Sequence, residues 1–397
     1  MLITTIDWEA GLDAPFDQMK MRSAIHEKLI TTKWIFRDFI RHIEERQHKL
    51  VMILEIESSS LKRVEGAIRK CIGQTLTIDG RIYPIRLYIG SYYDEQHAYD
   101  ERDILRSKYA LQLAKKQGVK RSQVMVQEQA EQYNQEILIE SLLSNGIANR
   151  QFHLDFQPIY RLIDGELVGF EALVRWHHPQ LGLLSPIQFI PLAEQNGFIS
   201  ELGEWIIEEA CRQLVSIHER LGQSTLRVSI NVSPVQFKLC NVAELALKYA
   251  QCFGLDPSYI QFELTESTME LVDEQVIEAA AALKGAGFSV AIDDFGTGYA
   301  SLESVSAMPI NCVKLDKHFI DKIQSNKAYL TIVKHTIRML NEMGLELVAE
   351  GVETQEQYEL LSILGCTYAQ GYYMSKPIPT VQLSHATIAK LLNFKIA

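Results

Sequence analysis

The sequence predicts an α/β protein: a (β/α)8 TIM-like barrel in roughly the last 250 residues, preceded by a small α/β domain. Three observations carry this expectation. Beyond Arg150 the chain holds about eight short strand-like apolar runs, and from the third onward helical segments separate them. The first connection, Leu162-Ile163-Asp164-Gly165-Glu166, is too short for a crossover helix and carries a Gly turn, so the first two strands form an antiparallel hairpin. Carboxylates stand at or near the strand ends: Glu171, Glu263, Asp293, Asp294 and Glu350. Each buried carboxylate costs several kcal/mol unless paired or metal-bound. Repeated at one end of a barrel, such acids build a divalent-metal cage.

In residues 1–118, Leu2–Ile6 and Lys49–Ile56 read as strands, with helical segments around Ser23–Leu29, Phe36–Glu45 and Leu61–Ile72. Leu76–Ile78 and Arg81–Ile89 flank Asp79-Gly80, a hairpin signal. A helix from Asp103 to Gln117 stops at Gly118. Residues 119–143 form the linker, where Gln127–Leu143 is a polar helix with a narrow apolar face at Ile137, Ile139, Leu142 and Leu143. The barrel domain takes residues 144–397. Its strands are expected at His153–Tyr160, Leu167–Val174, Leu226–Val232, Ile260–Thr265, Ser289–Asp293, Cys312–Leu315, Glu346–Glu350 and Thr367–Tyr372, with helices such as Val276–Ala286 and Ala328–Met343.

Composition narrows the function. The net charge of −11 argues against broad binding of duplex nucleic acid, while permitting a local basic pocket for phosphates. Six cysteines without a CxxC pair read as buried free thiols rather than a zinc site. No apolar run reaches the roughly 18 residues of a transmembrane segment. Asp7 and Glu9, close behind Met1, leave no basic start for a signal peptide, so a cytoplasmic protein is expected.

Eight motifs then occur in one order: Phe156-Gln157-Pro158-Ile159, Glu171-Ala172-Leu173-Val174-Arg175-Trp176, Asn231-Val232-Ser233, Glu263-Leu264-Thr265-Glu266, Asp293-Asp294-Phe295-Gly296-Thr297-Gly298-Tyr299, Lys314-Leu315-Asp316, Ala349-Glu350-Gly351-Val352-Glu353 and Gln370-Gly371. From about Leu142 onward the chain resembles the EAL domain, a cyclic di-GMP phosphodiesterase. The resemblance implies two Mg²⁺ or Mn²⁺ ions, with Glu171, Asn231, Glu263 and Asp293 on the first, Asp293 bridging, and Asp294 and Glu350 completing the second. An all-oxygen set without Cys or His suits those ions and argues against zinc. Adjacent Asp293 and Asp294 would point to opposite faces of a regular strand. Their joint use requires the strand to end there, and Phe295-Gly296-Thr297-Gly298 supplies the break. The resemblance further implies that Lys314 orients the attacking water, that Glu350 is the general base and that Gln370 holds water. Gln157, Arg175, Leu173 and Asp316 become substrate contacts, Arg175 by its fixed fork. Glu266 and Glu353 become the residues that steady the loop Phe295–Leu302. It also implies a homodimer through the barrel domain.

The same residues have plainer readings. A single acid at a strand end is more often a helix cap; Asn231-Val232-Ser233-Pro234 alone would start a helix and Lys314 alone would be a surface lysine. Joint occurrence at successive strand ends reverses those odds. His177-His178 is expected in a solvated Pro/Gly-rich loop. Gly296 and Gly298 lack the spacing of a nucleotide-cradling loop.

Residues 1–118 resemble a reduced GGDEF (diguanylate cyclase) domain, through Ile6-Asp7-Trp8-Glu9, Thr77-Ile78-Asp79-Gly80-Arg81, Ile89-Gly90-Ser91 and Ala110…Ala114-Lys115-Lys116…Gly118. Before the strand Val51–Leu54, where the active signature belongs, stands Glu44-Glu45-Arg46-Gln47-His48-Lys49-Leu50, with no Gly-Gly pair and no acidic pair at the needed position. Cyclisation of GTP is not expected. Asp7 and Glu9 could hold a metal, although a strand-end turn explains them more simply. The leading expectation is hydrolysis of cyclic di-GMP to linear pGpG, regulated by an inactive partner domain for which GTP or a protein is a candidate ligand. The alternative is a non-hydrolysing cyclic di-GMP receptor or protein-interaction module.

Overall fold

A computed structural model describes residues 1–10, 18–31, 40–46, 49–56, 60–95, 100–116, 122–222, 225–266, 274–298 and 302–394. The chain divides into two compact units, Met1–Leu138 and Ile139–Ala397, and the division falls within the helix Gln127–Gly146.

The first unit is built on strands β1 (Leu2–Ala10), β2 (Ile40–Arg46), β3 (Lys49–Leu54), β4 (Thr75–Ile78), β5 (Arg81–Tyr93) and β6 (Ser122–Met125). They make one sheet in the order β2-β3-β1-β5-β4, with β6 parallel on β5. The sheet thus reaches Met125, past the expected limit at residue 118. β1 is apolar toward both faces. Leu2 and Ile6 pack with Met21, Ile25, Val64, Ile68 and Ile72 of two helices, while Ile3 packs on the other side with Ile104 and Ala110. The helix Glu101–Lys116 lies directly on the sheet at Gly90, where a Cβ would stand 2.1 Å from Leu111 N. Asp79 and Gly80 both take positive φ, as a two-residue hairpin of this sequence requires.

One expected helix is a strand. Of the segment Phe36–Glu45, residues 40–45 belong to β2, which pairs antiparallel with β3 so that Arg46 faces Lys49; residues 36–39 lie outside the described set. Phe36, Phe39, Ile40 and Ile43 follow helical spacing, but pairing with β3 decides the backbone. Gln47-His48 and the expected helix end at Gln117-Gly118 also lie outside the described residues. Asp7 and Glu9 sit within β1 rather than at its end. Asp7 is paired with Lys115 at 3.0 Å and approached by Lys49 at 4.0 Å.

The second unit carries β7 (Phe152–Arg161), β8 (Leu167–His178), β9 (Gly182–Leu184), β10 (Arg227–Val232), β11 (Ile260–Thr265), β12 (Ser289–Phe295), β13 (Cys312–Leu315), β14 (Glu346–Ala349), β15 (Tyr368–Ala369) and β16 (Ile378–Pro379). Eight of these close into a barrel in the order β7-β15-β14-β13-β12-β11-β10-β8, with β7 paired back to β8. β7 runs antiparallel to both neighbours and the other barrel pairs are parallel, as the short first connection predicts. Helices flank the barrel, among them Ile199–Leu221, Glu274–Gly285 and Lys327–Glu342, whose Val333, Ile337 and Leu340 are buried at helical spacing. β9 and β16 are too short to read from sequence. Among the described residues, no helix is long and apolar enough to cross a membrane.

Candidate functional site

Polar side chains from the parallel strands and the residues just after them converge at one end of the barrel. β8 supplies Glu171, β10 Asn231, β11 Glu263, β12 Asp293 and Asp294, and β13 Lys314; Glu350 and Gln370 follow β14 and β15 directly. Register fixes their levels: Asn231 pairs with Glu263, and Thr265 with Asp293.

The two neighbouring aspartates reach one site through a local break in β12. Its pairing with β13 shifts between Ile292 and Phe295, and Asp294 takes the left-handed φ of +57°. That conformation is uncommon outside Gly and Asn, and it turns Asp294 out of strand alternation. Gly296 follows at φ +95°, with Phe319 packed so closely that a Cβ there would lie 2.4 Å from its ring. Glu266 holds the turn: its Oε2 accepts from the amides of Gly296, Thr297 and Gly298 at 2.8, 2.9 and 2.8 Å. The remainder of the expected loop, 299–301, lies outside the described residues.

Lys314 is completely buried, with its Nζ 2.8 Å from Glu263, 2.8 Å from Glu350, 3.0 Å from Asp293 and 3.3 Å from Glu171. Burial works against its charge, but the four carboxylates hold its pKa well above the ordinary lysine value. The acids divide among themselves. Burial pushes Glu171 up, yet Lys314 and hydrogen bonds from Gln370 and Asn231 hold it below the usual range. Burial, aided by repulsion from Glu171 and Asp293, raises Glu263 to about 8 against the pull of Lys314. Burial and the neighbouring Asp293 lift Glu350 well above the usual range and Asp294 to about 6. One ammonium cannot neutralise five clustered carboxylates.

Two overlapping groups have ligand oxygens within 4.8 Å of one another: Glu171, Glu263 and Asp293, and Asp293, Asp294 and Glu350. They share Asp293, and the donors are all oxygen, so the residues present fit hard divalent cations. Asn231 Nδ2 donates to Glu171 Oε1 at 2.8 Å, which leaves its carbonyl oxygen as a further donor to a cation. Gln370 Nε2 donates to Glu171 Oε2 at 2.6 Å and to Gln157 Oε1 at 3.0 Å. The Gln370 Oε1 is buried without a hydrogen-bond partner among the described residues.

Beside this cluster lies a cavity of about 470 Å³ lined by Leu173, Arg175, Asn231, Ser233 and Thr265. Arg175 Nε donates to Asp155 at 2.9 Å, a partner not anticipated from sequence, although Asp155 and Gln157 alternate onto one face of β7. Ser233 caps the helix Pro234–Leu239 in a full capping box with Gln236, so the helix-start reading holds alongside the placement of Asn231. Asp316 caps the short turn Lys317–Ile320, its Oδ1 accepting from His318 N at 2.9 Å. Glu353 is ion-paired with Lys317 instead of with the Gly296–Gly298 amides. The loop expectation for His177-His178 is corrected, because both end β8; His178 is buried, and its Nδ1 accepts from the amides of Gln180 and Leu181.

The sequence and fold have relatives. The chain is 31% identical over 367 residues to the oxygen sensor protein DosP of Escherichia coli, covering 92% of this chain and 45% of DosP. It is 34% identical over 311 residues to the cyclic di-GMP phosphodiesterase NbdA of Pseudomonas aeruginosa, covering 78% of this chain and 40% of NbdA. It therefore spans under half the length of either. The solved PaMucR phosphodiesterase in complex with c-di-GMP superposes with a TM-score of 0.59 at 35% identity, over 62% of this chain and 99% of that one. The EAL enzyme Bd1971, solved with cAMP and cyclic-di-GMP bound, superposes with a TM-score of 0.62 at 26% identity, over 87% of this chain and 81% of that one. Residues 140–377 match the EAL domain, and with the acids, lysine and barrel described above the chain belongs to the EAL-domain family.

Proposed function

We propose that the barrel hydrolyses cyclic di-GMP to linear pGpG with two divalent ions, Mg²⁺ or Mn²⁺. The observation that carries this reading is the charge imbalance at the barrel mouth, five carboxylates around one buried lysine in two groups that share Asp293. The family membership, NbdA and the c-di-GMP complex of PaMucR support the substrate. Glu171, Asn231, Glu263 and Asp293 would hold one ion, and Asp293, Asp294 and Glu350 the other. Bound there, the ions would neutralise the phosphodiester and lower the pKa of water.

The protein's own groups do the rest. Arg175 and Gln157, with Leu173 and Asp316, orient the dinucleotide. Lys314 holds the attacking water and stabilises the negative charge it acquires. The unpartnered Gln370 Oε1 accepts a hydrogen bond from that water. Water oxygen adds to phosphorus and its proton passes to Glu350 in its ionised form, while the bond to the ribose O3′ breaks and that oxygen takes a proton from bulk water. The test is incubation of purified protein with cyclic di-GMP and Mg²⁺ or Mn²⁺, read by chromatography. Appearance of pGpG supports the reading; tight binding without conversion would make the chain a receptor.

We further propose that the first unit is a GGDEF-like domain that regulates without cyclising GTP. The β2–β3 hairpin stands where the signature belongs, with Arg46 opposite Lys49 in place of glycines and acids. Lys115 and Lys49 flank Asp7, the acid that a cyclase would need for metal. The similarity to DosP covers 92% of the chain and so extends into this unit.

A further inference from the structure

We infer that Asp155 is a positioning residue that fixes the pose of Arg175 and thereby sets affinity for a cyclic dinucleotide rather than the rate of its cleavage. This rests on the phosphodiesterase reading of the barrel. In the β7–β8 hairpin, Asp155 stands opposite Leu173 and His153 opposite Arg175, so Asp155 and Arg175 are diagonal neighbours on one face. Arg175 Nε donates to Asp155 Oδ2 at 2.9 Å and its Nη1 to Val174 O at 3.1 Å. Two of its three nitrogens are thus committed, and Nη2 has no partner among the described residues. Both side chains are mostly buried, 19% and 13% exposed, so the pair is shielded from solvent and held in one geometry. Arg175 also lines the cavity of about 470 Å³, together with Asn231, which is hydrogen-bonded to Glu171.

An arginine on a strand otherwise samples many rotamers, and only a fraction present the fork toward an incoming phosphate. Asp155 removes that freedom before the ligand arrives. His153 Nε2 lies 3.6 Å from Asp155 Oδ1, but burial pushes its imidazole below the ordinary value, which leaves Arg175 as the closer charged partner of Asp155 among the described residues. A purely structural role, pinning β7 to β8, is a weak explanation. The hairpin already has nine paired positions from Phe152 to Tyr160.

The test uses the full chain and four variants: Asp155→Ala, Asp155→Asn, Arg175→Ala and the Asp155→Ala/Arg175→Ala pair. Steady-state rates give KM and kcat, and equilibrium binding of fluorescent cyclic di-GMP in Ca²⁺ gives Kd without turnover. Asp155→Ala should raise KM and Kd about tenfold with kcat within about twofold, as expected for loss of one charge-assisted contact that acts through binding. Asp155→Asn keeps an acceptor for Nε and should recover most of that loss; it also carries the test if the alanine variant melts early. The double variant should bind no more weakly than Arg175→Ala, since Asp155 has nothing left to hold. Additive losses, or a fall in kcat at unchanged KM, would overturn the positioning role. If wild-type protein binds cyclic di-GMP and Asp155→Ala binds it equally well, only this inference fails. If wild-type protein binds none, the phosphodiesterase reading fails and this inference with it.

Discussion

Replacing Lys314 by Met keeps most of the side-chain volume and deletes the ammonium at the centre of the acid cluster. The lysine is fully buried, with four carboxylate contacts between 2.8 and 3.3 Å. At an effective dielectric near 20, each contact with an ionised carboxylate contributes roughly 5 kcal/mol of attraction. Desolvation offsets most of this, and removing one partner of a buried ion pair costs about 3–5 kcal/mol in measured cases. For a domain of this size that is a drop of roughly 6–20 °C in the midpoint of thermal unfolding. The acids left behind can regain neutrality from protons or from divalent cations. The loss should therefore be large in EDTA and should shrink when Mn²⁺ is added. Turnover should fall by about two to three orders of magnitude, because the group that orients the nucleophile is gone. Binding of cyclic di-GMP in Ca²⁺ should change less than in Arg175→Ala. Calorimetry with and without metal, run beside a pGpG assay, reads all three effects. A variant with near-native turnover, or one destabilised equally with and without Mn²⁺, would show that Lys314 is not the charge centre of a metal-linked site.

Five further outcomes follow. Exhaustive chelation should abolish pGpG formation, Mg²⁺ or Mn²⁺ should restore it, and Ca²⁺ should inhibit, because it is larger and polarises water less; full activity after chelation contradicts the all-oxygen site. Glu263, raised to about 8, and Asp294, raised to about 6, must lose protons to bind a cation, so the half-saturating Mn²⁺ concentration in calorimetry should fall as pH rises from about 6 to 8. For the metal-free chain the sign reverses: stability from keeping these carboxyls protonated is fully present below their ordinary pKa and is lost as pH climbs toward about 8, which a melting series in EDTA would register. Glu266→Ala removes the acceptor of three loop amides and should raise the Mn²⁺ requirement about tenfold at constant KM for substrate, whereas an unchanged requirement would detach the loop from the metal site. GTP incubated with the full chain should yield no cyclic di-GMP, and any detectable product refutes the reading of the β2–β3 hairpin.

The barrel was legible because eight short apolar runs are separated by helical segments from the third onward, and the short Leu162–Glu166 connection fixed the antiparallel start. β13 matches its expected limits at Cys312–Leu315, where the strand is buried along its whole length and no edge effect blurs the pattern. β2 was not legible. It is an edge strand with Arg41 and His42 exposed, so its own sequence carries little alternation and its partner β3 decides its state. At the site, residue types identified the acids, but the left-handed backbone of Asp294 could be expected only as a break of unspecified form. Asp155 was missed for a different reason. Its partner Arg175 lies on the next strand, and diagonal pairing depends on a register that sequence spacing leaves open.

The features that make this site costly are the ones that suit it to a metal. Glu171 and Glu263 are buried in the barrel mouth, and Glu263 retains a carboxyl whose proton burial holds to about 8. Asp294 adds a left-handed backbone that a non-glycine residue adopts at a penalty of order 1–3 kcal/mol. Nothing in the packing of the barrel requires either, since β11 and β12 are already continuous through Phe262, Leu264, Val290 and Ile292. A glycine at position 294 would relieve the backbone and a leucine at position 263 would relieve the burial. Each would also remove a ligand oxygen from one of the two clusters. The strain is held in place by the three loop amides on Glu266 and by Phe319 against Gly296, contacts that lie outside the cluster. A strained acid held beside four others by packing and hydrogen bonds from outside the cluster is the arrangement expected of the proposed metal site.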